Sequence, residues 1–116
     1  METDPTYGAD LHIPGAKADA GKIRPGLILN GMADALIAVI QVADGGARKY
    51  SPGGWKLVED GFSRYEEAGS RHFFKRLLGE DIDPDSGALH LAHEAWCALA
   101  KLQLFLDSNP TYKVKI

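Results

Sequence analysis

The segment 71–97 constrains the fold of this 116-residue chain more than any other, because chemical groups are densest there. It holds three of the four histidines and a carboxylate-rich stretch between Gly79 and Gly87. The pattern predicts the end of one helix, a turn and the start of a second helix. Such a hairpin returns Arg71 and His72 to the start of the second helix, so we expect a polar pocket at its neck.

The second helix of this hairpin is predicted to be central and buried. Apolar residues cover nearly every side of it from Leu89 to Leu106, as in helices that pack all round. The polar exceptions fall at helical spacing, which places them on one face. A polar face on a buried helix needs partners, because unpaired buried charge is costly. These residues are His90, His93, Glu94, Cys97 and Lys101.

Composition predicts one globular domain. With 45% hydrophobic and 25% charged residues, the chain is neither disordered nor fibrous. Helices so apolar on so short a chain favour a homo-oligomer, either a dimer or a tetramer. A net charge of −3 argues against general affinity for nucleic acid or anionic membranes. The sequence shows no signal-peptide or membrane-span pattern, so a cytoplasmic location is expected.

The domain organisation is predicted from loop-forming residues at both ends. We expect a flexible N-terminal arm over residues 1–14, a single helical domain over residues 15–107 and a C-terminal tail over residues 108–116. The tail alternates weakly, which favours a short edge strand or an arm that reaches a neighbouring subunit.

Helical spacing predicts one further helix and the bounds of the first hairpin helix. The further helix runs from about Leu27 to Asp44 and ends at Gly45 and Gly46, and the first hairpin helix runs over 60–78 and ends at Gly79. Asp83 or Ser86 is expected to cap the helix that follows.

A basic segment over residues 15–26 is a candidate phosphate-binding site. Its cations are Lys17, Lys22 and Arg24, which lie among glycines and other small residues. Small residues allow a ligand to approach the backbone closely, and Lys and Arg bind phosphate. The simpler alternative is a solvated basic loop.

A second glycine-rich segment, predicted as a loop over residues 45–55, joins a cation to aromatic residues. Lys49 suits a phosphate, and the faces of Tyr50 and Trp55 suit a nucleotide base. The alternative is that both aromatic side chains cap the core across a turn.

The neck itself is a candidate catalytic and metal site. Carboxylates suit Mg²⁺ or Mn²⁺, and imidazoles suit Mn²⁺ or Zn²⁺. Arg71 and His72 are expected to contact phosphate beside this site. The alternative is a structural network in which the acids cap the helix and bond to the histidines. The candidate catalytic and metal-binding residues are Glu80, Asp83, His90 and His93.

Cys97 is predicted to be a packing thiol. It is the single cysteine of the chain, so no internal disulfide forms. It lies four residues after His93 but far from evident oxyanion donors, which argues against nucleophilic catalysis.

Taken together, the ordered motifs resemble a domain widespread in bacteriophage genomes and named for the N-terminal part of the phage dATP/dGTP diphosphohydrolases. The resemblance covers residues 15–106 and implies an all-α, MazG-like relative of the nucleotide pyrophosphohydrolases. In that group, helices from several subunits enclose a nucleotide and Mg²⁺. The motifs are Lys17–Pro25, Gly46–Tyr50 with Trp55, Arg71–His72, Gly79–Asp83, Ser86–Gly87 and His90–His93.

One departure from the MazG pattern concerns the catalytic carboxylates. MazG-type enzymes are recognised by ExxE on one helix and ExxD on the next. Glu80 and Asp83 fit ExxD but fall in a predicted turn, and the sequence contains no ExxE. Binding of the nucleotide is therefore better supported than its cleavage.

These observations predict a phage-type protein that binds a phosphorylated purine nucleotide. As an enzyme, it would hydrolyse dATP or dGTP to the monophosphate and pyrophosphate with Mg²⁺ or Mn²⁺. The alternative is a non-catalytic sponge that sequesters a cyclic dinucleotide or an ADP-ribose derivative, which would make it an anti-defence protein. A third interpretation is a structural phage protein with no ligand.

Overall fold

The computed structural model describes residues 3–4 and 9–116. These residues form four α-helices, α1 (Gly26–Leu29), α2 (Ala33–Lys49), α3 (Gly61–Leu77) and α4 (His90–Ser108), and two 3₁₀ helices at Gly54–Leu57 and Pro110–Tyr112. Two-residue strands, β1 (Thr3–Asp4) and β2 (Ala9–Asp10), pair antiparallel. The predicted all-α class is confirmed, and the helices are consistent with the predicted MazG-like domain.

Helices α3 and α4 form the predicted hairpin. Gly61 faces Leu104, Gly69 faces Cys97 and His72 faces His90, so the two helices run antiparallel. A Cβ atom on Gly69 would lie 3.2 Å from the Cys97 Cβ. Gly69 therefore permits the close crossing of the helices, which offsets its cost of about 1 kcal/mol within a helix.

An aromatic cluster packs the 3₁₀ turn before α3 against the hairpin. The rings of Trp55, Tyr65 and Trp96 meet edge to face, with centroids 5.2 to 6.2 Å apart. The Tyr65 hydroxyl donates to the Trp55 carbonyl oxygen at 2.6 Å, and burial raises the pKa of Tyr65. Such pairs add about 0.5–1.5 kcal/mol each beyond area burial. Trp55 thus caps the core, as the alternative interpretation predicted.

The end of α3 is fixed by Gly79, as predicted. Gly79 has a φ of +101°, a conformation that side chains disfavour. The Gly79 and Glu80 amides donate back to the Arg76 and Lys75 carbonyl oxygens, both at 3.0 Å. These bonds satisfy carbonyl groups that the helix leaves open and turn the chain into the neck.

The prediction that Asp83 or Ser86 caps α4 is wrong. Leu89 occupies the cap position, and no side-chain cap bond forms there. Both side chains have other partners: Asp83 accepts from the Asp85 amide at 3.0 Å, and Ser86 accepts from the Ala88 amide at 3.2 Å. The acids and the serine shape the turn instead of the helix start.

The helix predicted to end at Gly45 and Gly46 continues through both glycines. It breaks after Leu29, resumes as α2 and ends at Lys49. An ion pair between Asp44 and Arg48 spans the glycines on one helical face. The stop follows from Pro52, which disfavours the helical conformation of the residue before it. The predicted loop over 45–55 therefore begins only after Lys49.

The prediction of a buried second hairpin helix is only half correct. Helix α4 is central, because both α3 and α2 pack against it. Its buried residues are nevertheless small ones and His90, while Leu91, Leu99 and Leu102 remain 53–57% exposed. Two neighbouring helices cover only part of a helix that is apolar all round.

The predicted edge strand in the tail is wrong for the described residues. Pro110–Tyr112 form a 3₁₀ helix, and the Tyr112 ring lies 5.7 Å from the Phe105 ring. The Lys113 ammonium lies 3.2 Å from Asp107. The predicted arm over residues 1–14 lies partly outside the described residues. No helix among residues 9–116 is long and apolar enough to cross a membrane.

Candidate functional site

A chain of three side chains runs through the hairpin neck from Glu80 to His72. The Glu80 Oε1 atom lies 2.7 Å from the His90 Nε2 atom. The other His90 nitrogen, Nδ1, lies 2.8 Å from His72 Nδ1. His90 is fully buried, so these two contacts satisfy both nitrogens of an imidazole that has no access to water. The prediction that His72 returns to the start of α4 is confirmed.

His93 and Asp83 form the other half of the neck. Asp83 Oδ2 lies 3.7 Å from His93 Nε2, and both side chains are largely buried, with exposures of 12% and 16%. Ser86 Oγ lies 2.7 Å from the same His93 nitrogen. The Asp83 backbone is tied by its amide to the Ala88 carbonyl at 2.9 Å. The turn therefore presents a carboxylate to the imidazole from a fixed backbone.

The two halves meet at the imidazole rings of His72 and His93. These rings stack with centroids 4.2 Å apart and planes 5° apart. Burial, followed by the neighbouring imidazoles, lowers the pKa of His72 to about 4. Burial also lowers the pKa of His93. Both rings are therefore neutral at pH 7, which is the form that coordinates metal ions.

Asp83 keeps its negative charge despite its burial. Burial alone would raise its pKa, but the Asp85 amide and the His93 imidazole outweigh that effect and lower it. The neck thus combines an ionised carboxylate with neutral imidazoles.

Three donor groups converge closely enough to hold a metal ion. One ligand atom from each of His72, Asp83 and His93 lies within 4.8 Å of the others. Two imidazoles and a carboxylate are a common donor set for a divalent metal. Of the predicted metal ligands, Asp83 and His93 belong to this group, whereas Glu80 and His90 bond to each other. These residues fit a divalent metal with His72 as the third donor.

Ser86, His93 and Asp83 do not form a nucleophilic triad. In such a triad the serine and the carboxylate contact different imidazole nitrogens. Here Ser86 Oγ and Asp83 Oδ2 both approach His93 Nε2. Cys97 is also an unsuitable nucleophile, because burial raises its pKa against the weaker effects of Lys101 and Arg71.

Cations surround the neck from two helices. Lys49, the last residue of α2, lies 3.8 Å from Asp85 on the turn. Arg71 is exposed on α3 directly before His72. Lys75 follows one turn later, and its charge lowers the pKa of both His72 and Asp83. Lys49 on the α2 side and Lys75 on the α3 side therefore bring positive charge near the neck, while the charge of Arg71 acts on Cys97.

The remaining predicted binding residues lie apart from the neck. Lys17, Lys22 and Arg24 are exposed, and among the described residues no hydrogen bond or ion pair joins them to the neck. Tyr50 is 77% exposed beside the Lys49 ammonium, which lies 5.3 Å from its ring. Trp55 lies in the aromatic cluster instead. Their roles in nucleotide binding stay predictions.

Comparison with known proteins decides the family. A model of the dATP/dGTP diphosphohydrolase N-terminal family matches residues 12–112. The chain belongs to this family. The match spans the whole hairpin and both cationic segments of this diphosphohydrolase-family domain. No curated protein and no solved structure matched it.

Sequence analysis of this diphosphohydrolase-family domain missed two features of the neck. His72, predicted to bind phosphate, also lies within 4.8 Å of the candidate metal donors Asp83 and His93. Arg76 and Glu94 were not paired, although they form a two-bond ion pair at 2.7 and 3.0 Å. A strict antiparallel alignment of the two helices would have found both, since His72 and Arg76 lie one turn apart on the face toward α4.

Proposed function

We propose that this domain binds a purine deoxynucleoside triphosphate at the hairpin neck and hydrolyses it to the monophosphate and pyrophosphate. The convergence of His72, Asp83 and His93 beside a cationic rim is the observation that supports it most. The family match supports the same chemistry, because the family is named for dATP/dGTP diphosphohydrolases.

The proposed reaction consumes one water. Its oxygen forms a bond to the α-phosphorus, the bond from that phosphorus to the α,β-bridging oxygen breaks, and pyrophosphate leaves. A proton of the attacking water is released. A divalent ion, Mg²⁺ or Mn²⁺ in the predicted form, would supply charge neutralisation of the phosphates and activation of the water.

The residues of the neck have separate roles in this proposal. His72, Asp83 and His93 hold the metal. His90 orients His72 through the contact between their Nδ1 atoms, and Glu80 orients His90. Lys49 and Arg71 bind phosphate oxygens from the rim, and Lys75 adds a third cation. Positioned charge of this kind is the main protein contribution to phosphoryl transfer. The ExxD of the sequence is thus divided between metal binding by Asp83 and positioning by Glu80.

We also propose that a second copy of the chain completes the domain. The radius of gyration is 19.6 Å, whereas a compact chain of this length has about 13 Å. The accessible surface is 9023 Å², about 2,800 Å² more than a compact monomer of this mass exposes. A standard interface buries about 800 Å² of each partner, so the excess is enough for an obligate oligomer.

Apolar side chains on α1 and α2 are the proposed interface. Leu27, Leu29, Ile37 and Ile40 are 55–65% exposed, and Val42 is the single buried residue of α2. Lys17, Lys22 and Arg24 are exposed and lie apart from the neck of their own chain. Their proposed role is therefore to bind phosphate at the neck of a partner. The phage origin and the cytoplasmic location stay predictions.

A substrate panel tests the proposed function. Purified protein is incubated with dATP, dGTP, dCTP and dTTP with Mg²⁺ or Mn²⁺, and the products are separated by ion-exchange chromatography. We expect dAMP or dGMP with pyrophosphate, and no product with EDTA. If no monophosphate forms at high protein concentration, the enzymatic function is wrong. Recovery of a tightly bound, intact nucleotide after heat denaturation would then identify the predicted sponge.

A further inference from the structure

The hydrogen bonds in the neck couple the tautomer of His72 to that of His90. A carboxylate accepts, so Glu80 Oε1 accepts from the protonated Nε2 of His90 at 2.7 Å. When that is the single ring proton of His90, its Nδ1 accepts from His72 Nδ1 across 2.8 Å. His72 therefore carries its proton on Nδ1 and a lone pair on Nε2. The buried His90, held by the half-exposed Glu80 carboxylate, thus prepares the His72 imidazole for coordination.

Asp83 and His93 present donor atoms to the same point of the neck. Asp83 Oδ1 accepts from the Asp85 amide at 3.0 Å, which leaves Oδ2 directed at His93 Nε2, 3.7 Å away. Ser86 Oγ accepts from the Ala88 amide, so its own hydroxyl proton can be donated to His93 Nε2 at 2.7 Å. In this arrangement His93 carries a lone pair on Nε2, and a metal ion would replace the Ser86 proton as the partner of that lone pair.

From this arrangement we propose that His72 Nε2, Asp83 Oδ2 and His93 Nε2 bind a first-row transition-metal ion in preference to Mg²⁺. We assign Glu80 and His90 as positioning residues that hold His72 in its coordinating tautomer. This inference deepens the proposed function, because it names the metal class of the same site.

The chemistry of the donor atoms is the basis of the proposed preference for transition-metal ions over Mg²⁺. Mg²⁺ is bound in proteins by carboxylates, phosphates and water, and it rarely takes imidazole ligands. Imidazole suits Zn²⁺, Fe²⁺, Co²⁺, Ni²⁺ and Mn²⁺, and two imidazoles with one carboxylate form open sites for these ions. The neck offers two neutral nitrogens and one carboxylate oxygen within 4.8 Å of one another.

A loaded site needs a rotation of one imidazole ring. The planes of His72 and His93 are 5° apart, so their in-plane nitrogen lone pairs meet at one ion only after a ring turns out of the stack. Ligand bonds of about 2.0–2.1 Å place neighbouring donor atoms about 3.0–3.4 Å apart. The Asp83–His93 separation of 3.7 Å needs a shift of only a few tenths of an ångström. Rotation of the Ser86 hydroxyl away from His93 Nε2 frees that nitrogen. Three protein donors leave further positions open for water and a phosphate oxygen.

Metal competition tests the preference without reference to nucleotides. Metal-free wild-type protein is titrated with Co²⁺, Mn²⁺, Zn²⁺ and Mg²⁺ by calorimetry, and bound metal is counted by mass spectrometry after gel filtration. We expect one Co²⁺ per chain, with visible absorption from nitrogen ligation, and affinity at least about 100-fold above that for Mg²⁺. Equal affinity for Mg²⁺ and Co²⁺ would overturn the proposal.

Variants locate the site. His93→Gln replaces the imidazole by an amide whose oxygen can still accept from Ser86. Circular dichroism verifies that the variant is folded. We expect Co²⁺ affinity to fall about 100-fold or more. The matched control is His12→Gln, since His12 lies outside the neck and should leave Co²⁺ binding unchanged. Unchanged Co²⁺ affinity in folded His93→Gln would contradict the assignment.

The positioning role of Glu80 has a spectroscopic signature. In the metal-free protein, ¹⁵N NMR of the imidazoles should show His72 protonated on Nδ1. Glu80→Gln allows the order of the bonds to reverse, so we expect proton density on His72 Nε2 and Co²⁺ affinity lower by about 10- to 100-fold. A wild-type His72 protonated on Nε2 would refute the proposed order of hydrogen bonds from Glu80 to His72.

If Co²⁺ binds as expected but no nucleotide is cleaved, the proposed function fails and this inference stands. If wild-type protein cleaves dGTP but binds Co²⁺ no more tightly than Mg²⁺, the function stands and this inference fails.

Discussion

The neck and the α1–α2 region differ in which side chains the fold covers. In the neck, His90 and Asp83 are buried polar residues, and each has a partner within the chain, as His90 has at both nitrogens. In α1 and α2, apolar side chains such as Leu27 and Ile40 stay more than 60% exposed. The chain therefore assembles its own candidate site but leaves much of its apolar surface uncovered. The difference indicates that the site depends on the α3–α4 hairpin, and it is the basis of the proposal that a second copy of the chain covers α1 and α2.

The largest expected effect comes from removal of the neck carboxylate. Asp83→Ala should lower nucleotide hydrolysis about 1,000-fold or more, because loss of a metal ligand removes several kcal/mol of transition-state stabilisation. Rates are measured from pyrophosphate release at saturating metal. Asp107→Ala is the control, because Asp107 lies near the opposite end of α4 and pairs with lysines there. An equal loss of activity in Asp107→Ala would mean that the loss in Asp83→Ala does not report a specific role of the neck in hydrolysis.

The next effect addresses the exposed apolar region. Ile37→Glu with Ile40→Glu should prevent burial of this surface and convert an oligomer to monomers of 12.6 kDa. Molecular mass is measured by light scattering after size-exclusion chromatography. Gln41→Glu changes the charge at an exposed position of the same helix and should leave the mass unchanged. An unaltered mass in the double variant would move the interface elsewhere.

A smaller effect is expected at the cationic rim. Charge-assisted contacts to phosphate contribute about 1.5–3 kcal/mol each, so Arg71→Ala and Lys49→Ala should each raise the Kd for dGTP roughly 10- to 100-fold. Arg64→Ala, on an exposed part of α3, is the control. Calorimetry with a non-hydrolysable analogue gives the affinities. If Arg71→Ala instead unfolds the protein and leaves the affinity of the folded fraction unchanged, Arg71 is a structural residue.

The smallest effect is a pH dependence of stability in metal-free protein. His72 has a folded pKa of about 4, below its ordinary value of 6.5. As the pH falls, this histidine is therefore protonated in the unfolded chain at a higher pH than in the folded chain. The free energy of unfolding should be at its full value above pH 6.5 and decline as the pH falls toward 4. Urea titrations with EDTA measure it, and His72→Asn should reduce the slope.

The carboxylates provide the contrast within that experiment. The Arg76 hydrogen bonds lower the pKa of Glu94, so its contribution is lost only below the ordinary carboxyl range. A decline confined to pH values below about 4.5 would assign the dependence to such acids and contradict the role of the histidines.

The hairpin was predictable because its signals are local. Helical periodicity, the stop at Gly79 and the dense polar segment placed α3, the turn and α4 correctly. Gly45 and Gly46 misled the prediction, because glycine in a helix costs only about 1 kcal/mol and the stop came from Pro52. Local propensity therefore gave the correct helix type but a wrong boundary.

The partner choice inside the neck could not be predicted from spacing. Glu80 and Asp83 fit one motif, yet the turn directs Glu80 to His90 and Asp83 to His93. These directions depend on the turn backbone, where Gly87 has a φ of +76° and its amide donates to the Asp83 carbonyl at 2.8 Å. The exposure of the apolar face likewise depends on contacts between helices, which composition does not encode.

A single-turnover experiment tests the central claim most directly. Protein in molar excess over dGTP is mixed with Mn²⁺, quenched at intervals and analysed for dGTP, dGMP and pyrophosphate. The account predicts that wild-type protein converts dGTP to dGMP and pyrophosphate in equal amounts, and that Asp83→Ala leaves dGTP intact. Recovery of all dGTP from wild-type protein that binds it and contains stoichiometric metal would contradict hydrolysis at the neck.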